Sequence, residues 1–129
     1  MATGFPASTG DVLTAAMFNG LTAFTIDADK TNDYTLLQND EYQSLIVMNK
    51  GSAVALKIPT DATYNFAIGT CVTIYNEGAG TCTISAVASG TTTIQSVGTT
   101  PAAPTLKQYA AASCIKIAAN VWAVVGAVE

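Results

Sequence analysis

Oxygen-bearing side chains alternate along residues 27–33, with a spacing similar to that of the ligands in a calcium-binding loop. The residues concerned are Asp27, Asp29, Thr31 and Asp33. An EF-hand loop that began at Asp27 would also need a glycine at its sixth position and a glutamate at its twelfth. Those positions hold Asn32 and Gln38. The sequence therefore favours a polar linker over a metal site in this segment.

Asp40 and Glu41 are a second candidate for chemistry, because glycosidases use two carboxyl groups about 5–9 Å apart. Neighbouring side chains on a turn usually diverge, however, and no aromatic residues suited to stacking on a sugar cluster beside them. We interpret the pair as a solvated turn rather than a catalytic dyad.

Nucleophilic catalysis lacks its usual base, because the chain contains no histidine to activate a serine or threonine. No local pattern supports a serine–lysine pair in its place. Gly78-Ala79-Gly80 is too short for a phosphate-binding loop and lacks the Lys-Ser/Thr pair and helix that follow one. We expect no enzymatic activity, no cofactor and no bound metal.

The three cysteines, Cys71, Cys82 and Cys114, each lie inside a predicted strand. The simplest interpretation is that they are small buried apolar residues. A Cys71–Cys82 disulfide across one hairpin is the alternative, although a reducing cytosol disfavours it. The chain has no CxxC motif and no histidine, which argues against a zinc site.

Composition restricts the possible partners. The 129 residues fit one domain, and with 50% apolar residues the chain is too hydrophobic for disorder. Charged residues make up only 11%, which predicts that neighbouring subunits cover much of the surface. A net charge of −4 and scattered lysines argue against nucleic acid. No apolar run is long enough to span a membrane, and no export signal begins the chain.

The elements that would position these side chains fall into two regions, residues 1–32 and 33–129. Residues 1–10 read as an extended arm, and residues 11–21 have the apolar spacing of a short helix. Thr9 or Asp11 would cap the start of this helix, and Asn19-Gly20 its end.

After Asp33 the pattern predicts β-structure to the end of the chain. Lys50-Gly51-Ser52, residues 76–80 and Ala119-Asn120 have the composition of hairpin turns. We therefore predict a mainly β fold, an antiparallel β-sandwich or jelly-roll-like barrel with an extended N-terminal arm and one short helix. No solenoid period is evident. The predicted strands are Tyr34–Leu37, Ser44–Asn49, Ala53–Ile58, Thr70–Asn76, Gly80–Ala86, Thr91–Ser96, Leu106–Ala110, Ser113–Ala118 and Val121–Gly126. The predicted inward residues are Leu45, Val47, Val54, Leu56, Ile58, Val72, Ile74, Cys82, Ile84, Ile115, Ile117 and either Trp122 or its neighbours.

Several motifs follow one another in a distinctive order. They are Asp33-Tyr34-Thr35-Leu36, Leu45-Ile46-Val47-Met48-Asn49, Phe66-Ala67-Ile68-Gly69-Thr70, Gly78-Ala79-Gly80-Thr81-Cys82 and Trp122-Ala123-Val124-Val125-Gly126. This succession resembles a β domain that recurs in structural proteins of tailed bacteriophages, both tail fibres and capsid decoration proteins. The opening Gly10-Asp11-Val12-Leu13-Thr14-Ala15-Ala16, with Asn19, is similar to the start of phage fibre and minor virion proteins.

The resemblance implies a homotrimer located in the virion and made in the host cytoplasm. Fibre proteins usually carry this unit within a longer chain, whereas here it is nearly the whole sequence. We therefore expect a capsid decoration, or cement, protein that binds the phage major capsid protein on the capsid surface. The alternative is a receptor-binding module of a tail fibre or spike that recognises host surface glycans. Candidate capsid contacts are Phe5, Pro6, Val12, Leu13, Met17 and Phe18, and candidate exposed contacts are Tyr42 and Tyr64.

Overall fold

The computed structural model describes residues 25–41, 44–98 and 102–129, and these residues are mainly β, as the sequence predicts. The predicted arm and helix lie outside the described residues. Each predicted strand overlaps an observed one, and β1 is an additional strand. The strands are β1 (Thr25–Lys30), β2 (Tyr34–Thr35), β3 (Ser44–Met48), β4 (Val54–Ile58), β5 (Cys71–Asn76), β6 (Cys82–Ala86), β7 (Thr93–Gln95), β8 (Thr105–Leu106), β9 (Ala111–Ala118) and β10 (Val121–Gly126). A short 3-10 helix, η1, spans Gln38–Glu41.

The strands form two mixed sheets. A six-stranded sheet has the order β1-β3-β5-β9-β10-β7, and a four-stranded sheet has the order β2-β4-β6-β8. From β1 to β6 the chain alternates between the two sheets, so that β1, β3 and β5 stack in parallel in one and β2, β4 and β6 in the other. The predicted antiparallel arrangement is therefore wrong for this half of the fold. Antiparallel pairs join β5 to β9, β9 to β10 and β6 to β8.

Two of the predicted hairpin turns are arches that carry the chain from one sheet to the other. The turn at Lys50-Gly51-Ser52 joins β3 to β4, and residues 76–80 join β5 to β6. Only Ala119-Asn120 closes a true hairpin, between β9 and β10. Short Gly-bearing and Asn-bearing connections suit both geometries, so the turn residues alone do not distinguish a hairpin from an arch.

The second arch lies directly on the first. The backbone N–H groups of Glu77 and Gly78 both donate to Met48 O, at 2.8 and 3.3 Å, and the N–H of Gly80 donates to Lys50 O at 2.9 Å. A Cβ atom at Gly78 would overlap the backbone of Lys50, and one at Gly80 would overlap the backbone of Ser52. Glycine is required at both positions because the two chain segments approach so closely.

The inward-facing residues of β3 and β9 are offset by one residue from the prediction. Ile46 and Met48 belong to the core cluster, whereas Leu45 is only half-buried; Val47 is buried, as predicted, although it lies outside that cluster. In β9 the core residue is Lys116, at 1% exposure, and Ile117 is 45% exposed. Strand β3 is apolar on both faces, so alternation cannot set its phase, and a one-residue offset turns every side chain to the opposite face.

Both sheets contribute to a single hydrophobic cluster. Trp122 and Phe66 pack edge to face within it, with ring centroids 5.4 Å apart. The amide of the buried Asn76 donates to Gly80 O and to Leu106 O, both at 2.9 Å, and so joins the second arch to β8.

Within the described ranges, no helix has the length and apolar character needed to cross a membrane.

Replacing Gly80 by alanine should reduce the free energy of unfolding by about 1–3 kcal/mol, the usual cost of overpacking. Gly51→Ala is the matched control, because a Cβ atom there meets nothing within 4 Å. Urea denaturation would measure both. Equal midpoints for the two variants would show that the arches are not closely nested.

Candidate functional site

The outer face of the six-stranded sheet, meaning the side turned away from the core, is the largest surface that the fold builds from strands. Strand pairing aligns one row of outward residues across β1, β3, β5, β9 and β10: Ile26, Leu45, Thr73, Ser113 and Val125. A second row crosses β5, β9, β10 and β7: Cys71, Ile115, Ala123 and Gln95. A third row contains Val47, Tyr75 and Ala111, of which Val47 is buried. We call these twelve aligned residues the outer face.

None of the residues that make up the outer face is charged. Its polar groups are small, and the hydroxyls of Thr73 and Ser113 lie 3.2 Å apart and hydrogen-bond to each other. The four-stranded sheet differs, because its outward row of Thr35, Lys57 and Ser85 includes a lysine. An uncharged sheet face is a feature of surfaces that pack against another protein.

Large apolar side chains are exposed on the outer face. Ile26 is 63% exposed and Val125 53%. Ile117, at the end of β9, is 45% exposed on the same side of the sheet. Cys71 is also exposed and lies beside Ile115 in the second row. In water these groups gain stability only when another surface covers them.

The acidic residues that resemble a calcium loop have structural partners instead. Asp27 forms an ion pair with Lys30 at 2.8 Å, and Asp33 accepts a hydrogen bond from the backbone of Ala55 at 2.9 Å. Asp29 accepts a bond from Asn49 at 3.4 Å. Asp27 and Asp29 belong to β1, so the expected polar linker is in part an edge strand. Among the described residues, no group of three or more His, Cys, Asp or Glu side chains is arranged to hold a metal.

Asp40 is buried, which corrects the prediction of a solvated turn at Asp40 and Glu41. Its carboxylate accepts a hydrogen bond from Tyr34 Oη at 2.7 Å and from the backbone N–H of Leu37 at 2.8 Å. Burial, this hydrogen bond and the negative charge of Asp40 raise the pKa of Tyr34 well above its usual range. Asp40 thus fixes the start of η1.

A charged cluster surrounds Lys116 at the edge of the core. Its ammonium contacts Asp61 Oδ1 at 2.9 Å, Asn65 Oδ1 at 3.0 Å and Phe66 O at 2.7 Å. Asp61 is held in turn by Asn120, whose backbone N–H donates to Asp61 Oδ2 at 3.0 Å. The sequence pattern did not mark Lys116 as a site residue. The sequence places Lys116 between Ile115 and Ile117, and this alternation predicts that the isoleucines face inward. In the structure the lysine faces inward and the isoleucines face outward.

This cluster lies at the side of an open cleft of about 470 Å³. Gln38, Glu41, Asn65 and Ile68 also line the cleft. Gln38 donates to Glu41 at 2.9 Å, so these two lining side chains hold each other in place. Residues from η1, from the loop after β4 and from the end of β9 line the cleft together.

The predicted contact residues are only partly covered by the structure. Phe5, Pro6, Val12, Leu13, Met17, Phe18 and Tyr42 lie outside the described residues. Tyr64 is half-buried and packs against the hydrophobic core. All three cysteines are free thiols, and Cys71 and Cys82 belong to different sheets rather than to one hairpin.

Comparisons with protein-family models, with curated proteins and with solved structures found no significant match for this chain.

The three thiols should react at very different rates in the folded protein. Burial raises the pKa of Cys114 to about 12 and that of Cys82 to about 11. The reactive species is the thiolate, so between about pH 7 and 9 both remain unreactive, whereas the exposed Cys71 is accessible. Mass spectrometry after brief maleimide treatment of dilute protein should find one label, at Cys71, and three after denaturation. Rapid native labelling of Cys114 would contradict this burial.

Proposed function

We propose that this chain is a structural protein of a tailed-bacteriophage virion, a capsid decoration protein that assembles as a homotrimer and binds the major capsid protein. The observation that carries the proposal is the uncharged outer face of the six-stranded sheet. It adds to the resemblance of the sequence motifs to phage structural proteins. In this proposal the two sheets are the layers of a β-sandwich whose first six strands stack in parallel.

The dimensions of the outer face suit the centre of a subunit interface. Strands lie about 4.8 Å apart and rise about 3.3 Å per residue, so six short strands cover roughly 400–500 Å². A stable interface buries about 800 Å² per partner, with an apolar centre and a polar rim. The outer face would supply that centre, and residues around it would supply the rim.

Several of the described side chains that could take part in acid–base chemistry have structural partners, which supports a structural role. Asp40 caps η1, and Asp33 accepts a hydrogen bond from a neighbouring strand. Asp61 and Lys116 are paired at the edge of the core. Each of these groups stabilises the fold, which is the pattern expected when a protein works through its surface rather than through catalysis.

A charge introduced on the outer face should prevent self-association. Val125→Asp would bury an unpaired carboxylate at the interface and should weaken the trimer by about 100-fold or more. Val87→Asp is the matched control, because Val87 is 54% exposed but lies in the turn after β6, away from the outer face. Sedimentation velocity would compare the two variants with the unchanged chain.

The reactivity of the Cys71 thiol is an independent test of the same interface. If three copies cover the outer face, maleimide labelling of Cys71 should slow as protein concentration rises and recover on dilution. A monomeric wild-type chain at all concentrations, or equal dissociation of the two valine variants, would refute this interface.

Removing residues 1–20 tests the proposed role of the arm. The truncated protein should still form trimers through the outer face but should no longer bind capsids that lack the decoration protein. Cryo-electron microscopy of capsids mixed with each form would give the occupancy. Full occupancy by the truncated protein would exclude the arm as the capsid-binding element. Specific binding of the free trimer to host cells or glycans would instead favour the tail-fibre alternative.

A further inference from the structure

Lys116 lies against both an amide and a carboxylate in a place where water has little access. Its side chain is 1% exposed, and its ammonium is 3.0 Å from Asn65 Oδ1 and 2.9 Å from Asp61 Oδ1. We propose that Lys116 and Asn65 join in an intramolecular isopeptide bond, with Asp61 transferring the protons. The inference rests on this cluster alone and does not depend on the proposed function.

The geometry brings the reacting groups close together. Lys116 Nζ is 3.0 Å from Asn65 Oδ1, and Cγ is the next atom, so rotation of the amide would bring Cγ toward the 3–3.5 Å separation from which attack on a carbonyl carbon proceeds. In the described part of the chain, the bond from Lys116 is the only hydrogen bond of the Asn65 side chain. The amide can therefore rotate to present Cγ to the amine. Phe66 O, at 2.7 Å from Nζ, holds the amine in position during that rotation.

The reaction needs no external reagent. Asp61 first accepts a proton from the lysine ammonium, which leaves a neutral amine. The nitrogen lone pair then attacks Asn65 Cγ, and the new C–N bond forms as electrons move onto Oδ1. Asp61 passes the first proton to Asn65 Nδ2, the electrons return from Oδ1 and the Cγ–Nδ2 bond breaks, which releases ammonia. The nitrogen of the former amine gives a second proton to Asp61, which passes it to the departing ammonia. The balance is one ammonium and one amide giving one isopeptide bond and one ammonium ion.

Buried side chains flank the amine on the strand side, and the amide of Asn65 faces the cleft. Trp122 is paired with Lys116 across β9 and β10, and it is 0% exposed, as is Cys114 two residues away on the same face. Asn65 is exposed and lines the open cleft, so ammonia can leave toward solvent.

The bond would connect the loop after β4 to the middle of the six-stranded sheet. That loop is otherwise held to the sheet by hydrogen bonds, including those between Asp61 and Asn120. A covalent link would form a closed loop of residues 65–116. The loop would restrict the unfolded conformations of this segment and so limit its unfolding.

Intact-mass and peptide analysis of the purified full chain test the proposal. After incubation at neutral pH, the denatured chain should be lighter than its sequence by one ammonia molecule. Trypsin does not cleave after an acylated lysine, so digestion should yield a branched peptide that joins residues 58–107 to residues 108–129. A chain with its full sequence mass, cleaved normally after Lys116, overturns the proposal.

Three variants separate the bond from other causes of ammonia loss. Asn65→Ala and Lys116→Arg should both retain the full mass, whereas a succinimide at Asn65 would persist in Lys116→Arg and so refute the link. Asp61→Asn keeps the shape of the side chain and should slow the reaction by about 100-fold or more, because it removes the proton acceptor. Protection of Cys82 and Cys114 from maleimide would confirm that each variant is folded. The result is independent of oligomeric state, which sedimentation measures separately.

Discussion

The close stacking of two arches is the constraint on which the rest of the structure depends. Gly78 and Gly80 let the second arch lie against the backbone of the first, and the hydrogen bonds from residues 77–80 to Met48 and Lys50 fix its position. Because each arch sends the chain into the opposite sheet, nesting the arches also sets the parallel register of β3 with β5 and of β4 with β6. Both sheets then close over one core.

The position of Lys116 follows from the same arrangement. Strand β9 pairs with β5, and its backbone at Lys116 exchanges hydrogen bonds with the loop after β4, where Gly69 N–H donates to Lys116 O at 2.7 Å. The side chain then reaches Asp61, Asn65 and the carbonyl of Phe66, which supply three acceptors for its three donors. Burial of a charge is tolerated because each donor is satisfied.

The surface and the interior of the protein are connected through this strand. When Lys116 turns inward, Ile115 and Ile117 turn outward, and the only charge of β9 leaves the outer face. The polar cluster at the edge of the core and the uncharged sheet face therefore both follow from which side chains of β9 face inward. The cluster holds the loop to the sheet, and the face is left with side chains suited to packing against another subunit.

The residue pattern by itself determined a mainly β chain, the approximate place of nine of its strands, and the core positions of β4, β5 and β6. These follow from local alternation, which a single strand carries whatever its neighbours are. The pattern did not reveal β1, a largely polar edge strand that gains its position by pairing with β3.

Tertiary structure alone decided strand direction, the conversion of two expected hairpins into arches, and the inward phase of β3 and β9. Each depends on contacts between residues distant in the sequence. Lys116 shows this most clearly, since its acceptors lie about 50 residues earlier in the chain. From the local pattern, isoleucine is expected to be buried in preference to lysine. Lys116 is buried instead because the folded chain supplies hydrogen-bond acceptors for its ammonium group.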